Sequence, residues 1–285
     1  MSAQRGRVPD APAIEITPES DHPAAGDPLP SMISTADGAR LRQELGAVIR
    51  DAAEGALAFA LGGTGAAIDD AVAAFFDVFP DRPVVDNKGG SGFNDSLWLF
   101  LMARLLAPRL IVESGTFRGH SAWLFRQACP EAAIHSFDVN PDQLRHRDPA
   151  TSYHIGDWAG ADLPPIDAGT TLGFFDDHIS HAKRMVEAHA RGFRLLLFDD
   201  NFPAWSLYAT GGPPVPTLAM IMDETLAFGR TLSWTRNGKT YAYTYEAAHV
   251  GNARSLIADY AVLPDLAPVT RYPPGSGLSV VRLVD

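Results

Sequence analysis

The chain has 285 residues, 46% of them hydrophobic, and a formal net charge of −11. That length suits one domain of about 200 residues with an extension, and the acidic balance argues against a general binder of nucleic acid or of anionic membranes. No apolar run approaches the roughly 20 residues that span a bilayer. The N-terminus lacks a basic-then-apolar signal pattern. Cys129 is the single cysteine, which excludes an intrachain disulfide and a cysteine metal cluster; a cytoplasmic location is expected.

Residues 1–34 are rich in Pro, Ala, Asp and Ser without periodicity, and are expected to form a disordered or draped arm. From Thr35 to Ala60 the residues Ala39, Leu41, Leu45, Val48 and Ile49 share one helical face. Gly62-Gly63-Thr64-Gly65 then breaks the pattern, without the Gly-Lys-Ser/Thr of a phosphate loop. A second helix is expected from Ala66 to Phe79, closed by Pro80 and Pro83. Residues 35–83 therefore read as a helical extension, which either caps the substrate side or forms the surface of a homo-oligomer. Val84 to Gly92 is a polar, glycine-rich loop. Asn94 or Asp95 is expected to cap a helix from Ser96 to Leu106, apolar almost all round and hence buried.

The stretch from Leu110 to Asn140 reads as strand, glycine turn, helix, strand. Leu110 to Val112 is a buried strand, and Gly115 and Gly119 break the run. Ser121 to Ala128 is a helix ended by Pro130, and Ala133 to Val139 is a second strand carrying Asp138 near its end. In such βαβ units an acid at that place hydrogen-bonds ribose hydroxyls. The pattern is G-x-x-x-G and not the G-x-G-x-x-G of dinucleotide binders, which disfavours a nicotinamide dehydrogenase.

A short helix is expected to begin at Gln143 to His146. Further strands are expected at Thr151 to Ile155, Thr171 to Phe175 and Phe193 to Phe198, with a helix from His181 to Arg191 stopped by Gly192. The alternation predicts a doubly wound, mostly parallel α/β sheet. After a Gly/Pro loop from Pro203 to Pro216, a helix is expected at Thr217 to Phe228. Strands are expected at Leu232 to Trp234, Thr240 to Tyr245 and Leu278 to Leu283, the last two as an antiparallel edge. Trp205 and Tyr208 on the long loop are either a substrate wall or ordinary packing. Strand ends carry Asp138, then Asp176-Asp177-His178, then Asp199-Asp200-Asn201. Asp177, Asp200 and Asn201 offer the oxygen ligands that magnesium prefers.

Taken in order, six pieces resemble a known family: Asp86 to Gly89, Val112 to Ser121, Phe137 to Asp142, Gly156-Asp157-Trp158, Asp177-His178 and Asp200-Asn201. The chain resembles class I S-adenosylmethionine-dependent O-methyltransferases, in particular the metal-dependent branch that includes catechol O-methyltransferase, over roughly residues 84–202. The resemblance implies a Rossmann-like methyltransferase domain over 84–285, whose sheet ends on an antiparallel strand. It implies that Glu113, Gly115, Thr116, Gly119 and Ser121 hold S-adenosylmethionine, with Gly115 and Ser121 at its methionine end. Asp138 would hold the ribose, Asp157 and Trp158 would flank the adenine, and His178 would lie near the cofactor.

The resemblance further implies that Asp177, Asp200 and Asn201 bind Mg2+, which orients a substrate hydroxyl and lowers its pKa. Where the catechol enzymes carry a lysine base, this chain has Ser180. His181 and Lys183 are the nearby candidates for a base, and the change argues against a catechol substrate. The expected function is methyl transfer to a hydroxyl of a small molecule of natural-product, sugar or phenolic type. The alternatives are a metal-independent methyltransferase with a histidine base and a non-catalytic cofactor-binding protein. Arg118, in the cofactor loop, would meet a carboxylate or face solvent.

Overall fold

The structure is a computed structural model that describes residues 36–209 and 212–285; the expected arm over 1–34 lies outside them. The first helices are α1 (Ala36–Glu54), α2 (Ala58–Leu61), α3 (Ile68–Val78) and α4 (Phe93–Leu106). Helix α4 is buried from Phe93 to Ala103, as the apolar run from Leu97 to Ala103 demands. Each leucine removed from water there contributes roughly 1.5–3 kcal/mol. α1 and α3 pack outside α4, their Leu45, Ile49, Phe75 and Phe76 joining the same core.

Neither Asn94 nor Asp95 caps α4; Gly92 occupies that position without a side-chain hydrogen bond. Both side chains reach instead to the C-terminal segment, Asn94 donating to the Pro273 carbonyl at 2.8 Å and Asp95 accepting from the Ser276 N–H at 3.2 Å.

The main sheet has seven strands in the order β3-β2-β1-β4-β5-β9-β8. They are β1 (Leu110–Ser114), β2 (Ala133–Asp138), β3 (Thr151–Ile155), β4 (Thr171–Phe175), β5 (Leu195–Phe198), β8 (Ile257–Val262) and β9 (Ser279–Leu283). β1 to β5 pair in parallel, and β9 runs antiparallel to both its neighbours. This is the doubly wound Rossmann-like sheet with an antiparallel final strand that the resemblance implies. Helix α5 (His120–Ala128) packs with α4 on one face, and α6 (His181–Ala190) packs on the other. The strand order reverses between β1 and β4, and ligands of open α/β sheets bind at the carboxyl ends beside such a switch point.

Two expectations fail after β5. The helix expected over 217–228 is only α7 (Leu218–Met222). Thr240 to Tyr245 does not join the antiparallel edge; β6 (Thr231–Arg236) and β7 (Lys239–Thr244) make a separate hairpin. The edge is completed by β8, whose pattern of half-buried residues hides it from a hydrophobicity reading. α8 (Ala247–Ser255) precedes it, with apolar residues too sparse to mark a face. The helix expected to begin near Gln143 is a single 3-10 turn, Pro141–Gln143. Among the described residues, no helix is long and apolar enough to cross a membrane.

Candidate active site

The carboxyl ends of β1, β2 and β4 meet at the glycine loop. Gly115 has φ +108°, and a Cβ there would stand 2.2 Å from the Asp176 carbonyl oxygen. Only glycine lets the tips of β1 and β4 approach so closely. Gly119, at φ +84°, opens α5, and a Cβ there would meet the His146 carbonyl at 2.3 Å. Thr116 Oγ1 and Ser136 Oγ lie 2.5 Å apart beneath the loop, and the Ser136 hydroxyl also bonds Glu113.

Glu113 is fully buried, and its Oε1 has no hydrogen-bond partner. Burial pushes its carboxyl up to about 7, against the hydroxyls of Ser121 and Ser136, which pull it down. Ser121 is buried in the first turn of α5. At the tip of β2, Asp138 Oδ2 accepts the Phe117 N–H at 2.7 Å and Oδ1 accepts the Asn140 N–H at 2.8 Å. A shallow open cleft lies beside Asp138, lined by Phe117, Asn140, Leu144, Arg147, Tyr153 and Ile155.

Beyond β3, the expectation for Trp158 is corrected. The Trp158 ring is 0% exposed. It is packed against Phe175 and Phe193 and flanked by the guanidinium groups of Arg184 and Arg191. A ring buried on every side cannot flank a ligand. Asp157 accepts the Ala159 N–H and pairs with Arg184. The exposed apolar groups at these strand ends are Val139 and Ile155, 78% and 75% exposed. Sequence reasoning passed over them because it counted them only as strand residues.

The acidic side departs further from expectation. Asp177 lines the same pocket but already carries three donors: Arg184 Nε and Nη2 donate to its Oδ2 at 2.8 and 2.7 Å, and Ser114 donates to the same oxygen at 2.6 Å. Asn201 is fully engaged, donating to Tyr260 and Ser279 and accepting the Ala219 N–H at 2.6 Å. The residues that do converge are Asp176, His178 and Asp200, with one ligand atom from each within 4.8 Å of the others. Thus Asp200 keeps its expected place, while Asp176 and His178 stand where Asp177 and Asn201 were expected.

His178 Nδ1 lies 3.1 Å from Asp200 Oδ2, and that contact raises the imidazole above its ordinary pKa. Burial and the nearby Asp199 and Asp200 drive the Asp176 carboxyl well above the usual carboxylate range. Asp199 is pushed up to about 8 by burial and by the charges of Asp95 and Asp200, and Asp95 to about 6, chiefly by burial. Ser276 donates to Asp199 and joins these two groups. So many carboxylates with so few countercharges suit a divalent cation, and the His/Asp donor set is a common one for transition ions as well as for a partly hydrated magnesium.

His181 and Lys183, the expected bases, are both engaged by other groups. His181 is 1% exposed, its Nδ1 accepts the Leu218 N–H at 3.0 Å, and burial lowers its pKa to about 3. Its other link is to the Asp199 backbone. Lys183 lies 3.6 Å from Glu187 on the outer side of α6, with its side chain 55% exposed. His181 and Asn201 instead each receive a backbone N–H from the first turn of α7, and so hold that helix against the acidic strand ends. Arg118 neither faces a free ligand nor stands alone: it donates to the Asp86 carbonyl and ties the 84–92 loop to the glycine loop. Trp205 is 74% exposed after β5, and the Tyr208 side chain lies outside the described residues.

No family model and no curated protein matches the sequence. Solved structures do. A CmcI structure with Mg and SAM aligns at 15% identity over 68% of this chain and 72% of that one, with a TM-score of 0.43. The SAH-bound methyltransferase PaMTH1 of Podospora anserina aligns at 15% identity over 74% and 88%, with a TM-score of 0.45. The O-methyltransferase TomG of Streptomyces achromogenes, involved in tomaymycin synthesis and solved with SAM, aligns at 15% identity over 76% and 88%, with a TM-score of 0.40. The likeness is one of fold.

Proposed function

We propose that the protein is an S-adenosylmethionine-dependent O-methyltransferase that acts on a hydroxyl of a small molecule with the help of a divalent cation. The observation that carries this reading is a juxtaposition at one switch point. A nucleoside cradle formed by Gly115, Gly119 and Asp138 adjoins the Asp176, His178 and Asp200 cluster, separated by a single glycine contact. The cradle fits the cofactor on its own chemistry. Asp138 keeps lone pairs for ribose hydroxyls, Val139 and Ile155 offer apolar flanks for an adenine, and the unpaired Glu113 Oε1 suits the ammonium of a methionine tail.

When bound, the cofactor supplies an electrophilic methyl and the cation lowers the pKa of a coordinated hydroxyl. The chain's own contribution is orientation. Glycine loop and acidic loop are locked together at Gly115, so donor and acceptor are held for in-line approach, and such positioning accounts for much of the rate in a displacement of this kind. The buried Asp199 and Asp95 are joined by the half-buried Ser276, and Asp199 accepts the Asp200 N–H at 2.9 Å, which holds Asp200 in place.

A second reading needs no cation. His178 is half open to solvent and oriented by Asp200, the arrangement of a histidine base with a carboxylate partner. Calorimetric titration with S-adenosylhomocysteine, with and without Mg2+, separates the two. Binding in both conditions with a distinct magnesium response is expected. Binding with no magnesium response selects the His178 base, and no binding at all contradicts the methyltransferase reading.

A further inference from the structure

We propose that Arg184 is a positioning residue that couples the turn after β3, which directly follows the exposed flank Ile155, to the acidic loop after β4, so that a change at one end alters binding at the other. This rests on the function proposed above. The Arg184 side chain is 3% exposed and lies in the interior of α6. Its Nη1 contacts both oxygens of Asp157 at 2.9 and 3.2 Å, and Glu187 at 2.7 Å. Its Nε and Nη2 both reach Asp177 Oδ2. Asp177 in turn holds the Ser114 hydroxyl at the tip of β1, and its Oδ1 accepts the Ile179 N–H at 3.0 Å. One guanidinium therefore ties together the ends of β1 and β4 and the turn that follows β3.

Two physical consequences follow. First, Arg184 balances the Asp177 charge, which lines the same pocket as Asp176, His178 and Asp200. The loop can then present Asp176 and His178, on either side of Asp177, with His178 in the left-handed region at φ 55°. Second, the link is stiff. Guanidinium is a planar fork that engages carboxylates in fixed directions, and a buried charge that loses a partner is costly. A shift of Asp157 therefore moves Asp177 with it, because the guanidinium has no solvated position to retreat to. Lysine, with one point charge, cannot hold both carboxylates in the same way.

The test is calorimetry on the full chain with S-adenosylhomocysteine and with Mg2+ as separate probes. Arg184→Met is expected to weaken both by about tenfold, as loss of an outer partner does at metal sites, while Glu187→Gln changes neither. The decisive variants are the two ends. Asp157→Asn, which touches no residue of the cluster, is expected to weaken Mg2+ binding by about fivefold, and Asp177→Asn to weaken cofactor-analogue binding without Mg2+ by a similar factor. Arg184→Lys is expected to keep the fold and reproduce most of these losses, which keeps the test in hand if Arg184→Met does not fold. Wild type that binds both probes, with each end variant affecting only its own probe, overturns the coupling and leaves the function standing. Wild type that binds neither overturns both.

Discussion

Around Asp138 each carboxylate oxygen already meets a backbone N–H, whereas around Asp176, Asp199 and Asp200 the carboxylates face one another. The first half of the site is complete as protein: glycines at positive φ fix the loop, and its hydrogen bonds are made before any ligand arrives. The second half is electrostatically unfinished. The guanidinium that borders it, Arg184, is shared among Asp177, Asp157 and Glu187, and His178 pairs with Asp200. Under the proposed function, the contrast assigns a nucleoside, held by shape and hydrogen bonding, to the first half and a stabilising cation to the second.

The most disruptive way to break the comparison is to force the halves apart. Gly115→Ala places a methyl against the Asp176 carbonyl in a conformation that L-residues resist. Denaturant unfolding is expected to show a loss on the order of 3 kcal/mol, with binding of both cofactor analogue and Mg2+ impaired. Next in size is His181→Ala, which leaves the Leu218 N–H without its acceptor. It is expected to cost about 2 kcal/mol of stability, while turnover per folded molecule changes little. A catalytic base at this position would show the reverse, intact stability and lost turnover.

The charge imbalance is read through pH. Glu113 and Asp199 have folded-state pKa values raised to about 7 and about 8, so the folded protein binds more protons than the unfolded chain above the ordinary carboxylate range. Stability falls as pH rises through that range. His181 and His120, lowered to about 3 and about 4, act in the opposite sense, but only below about 6.5, where the unfolded chain takes up protons. Between pH 6.5 and 8 the carboxylates decide. The metal-free protein is expected to lose on the order of 1–2 kcal/mol across that window by thermal or denaturant unfolding, and Mg2+ is expected to restore it. A flat profile contradicts the charge argument. The sharpest division of the halves is Asp200→Asn, expected to weaken Mg2+ at least about tenfold while cofactor-analogue binding without Mg2+ stays near wild type, both read by calorimetry.

The same contrast decided what the sequence disclosed. Gly115, Gly119 and Asp138 are legible because backbone conformation and strand position follow from residue type, and the five parallel strands announce themselves as apolar runs between turns. The acidic half is not legible at that level. Strand ends carrying Asp176-Asp177-His178 and Asp199-Asp200-Asn201 say that ligands are present, but which carboxylate turns inward depends on an arginine seven residues away on α6. Asp177 was lost to Arg184, and Asn201 and His181 to the N–H groups of α7, a helix only five residues long. Trp158 illustrates the remaining difficulty: a turn residue reads as accessible, yet here it fills the core beneath α6. Both strands of the β6–β7 hairpin were legible, but their separation from the main sheet and the late strand β8 were not, because half-exposed patterns do not separate an edge from a surface ribbon.

The central claim is that cofactor and cation sit side by side at the β1–β4 switch point. Mn2+ in place of Mg2+, with S-adenosylmethionine carrying a 13C methyl, tests it without turnover. Binding of Mn2+ is expected to broaden the methyl resonance of the protein-bound cofactor, and Asp176→Asn together with Asp200→Asn is expected to abolish the broadening while the cofactor stays bound. A sharp methyl resonance with Mn2+ bound, or broadening that survives the double substitution, would place the cation elsewhere and contradict the account.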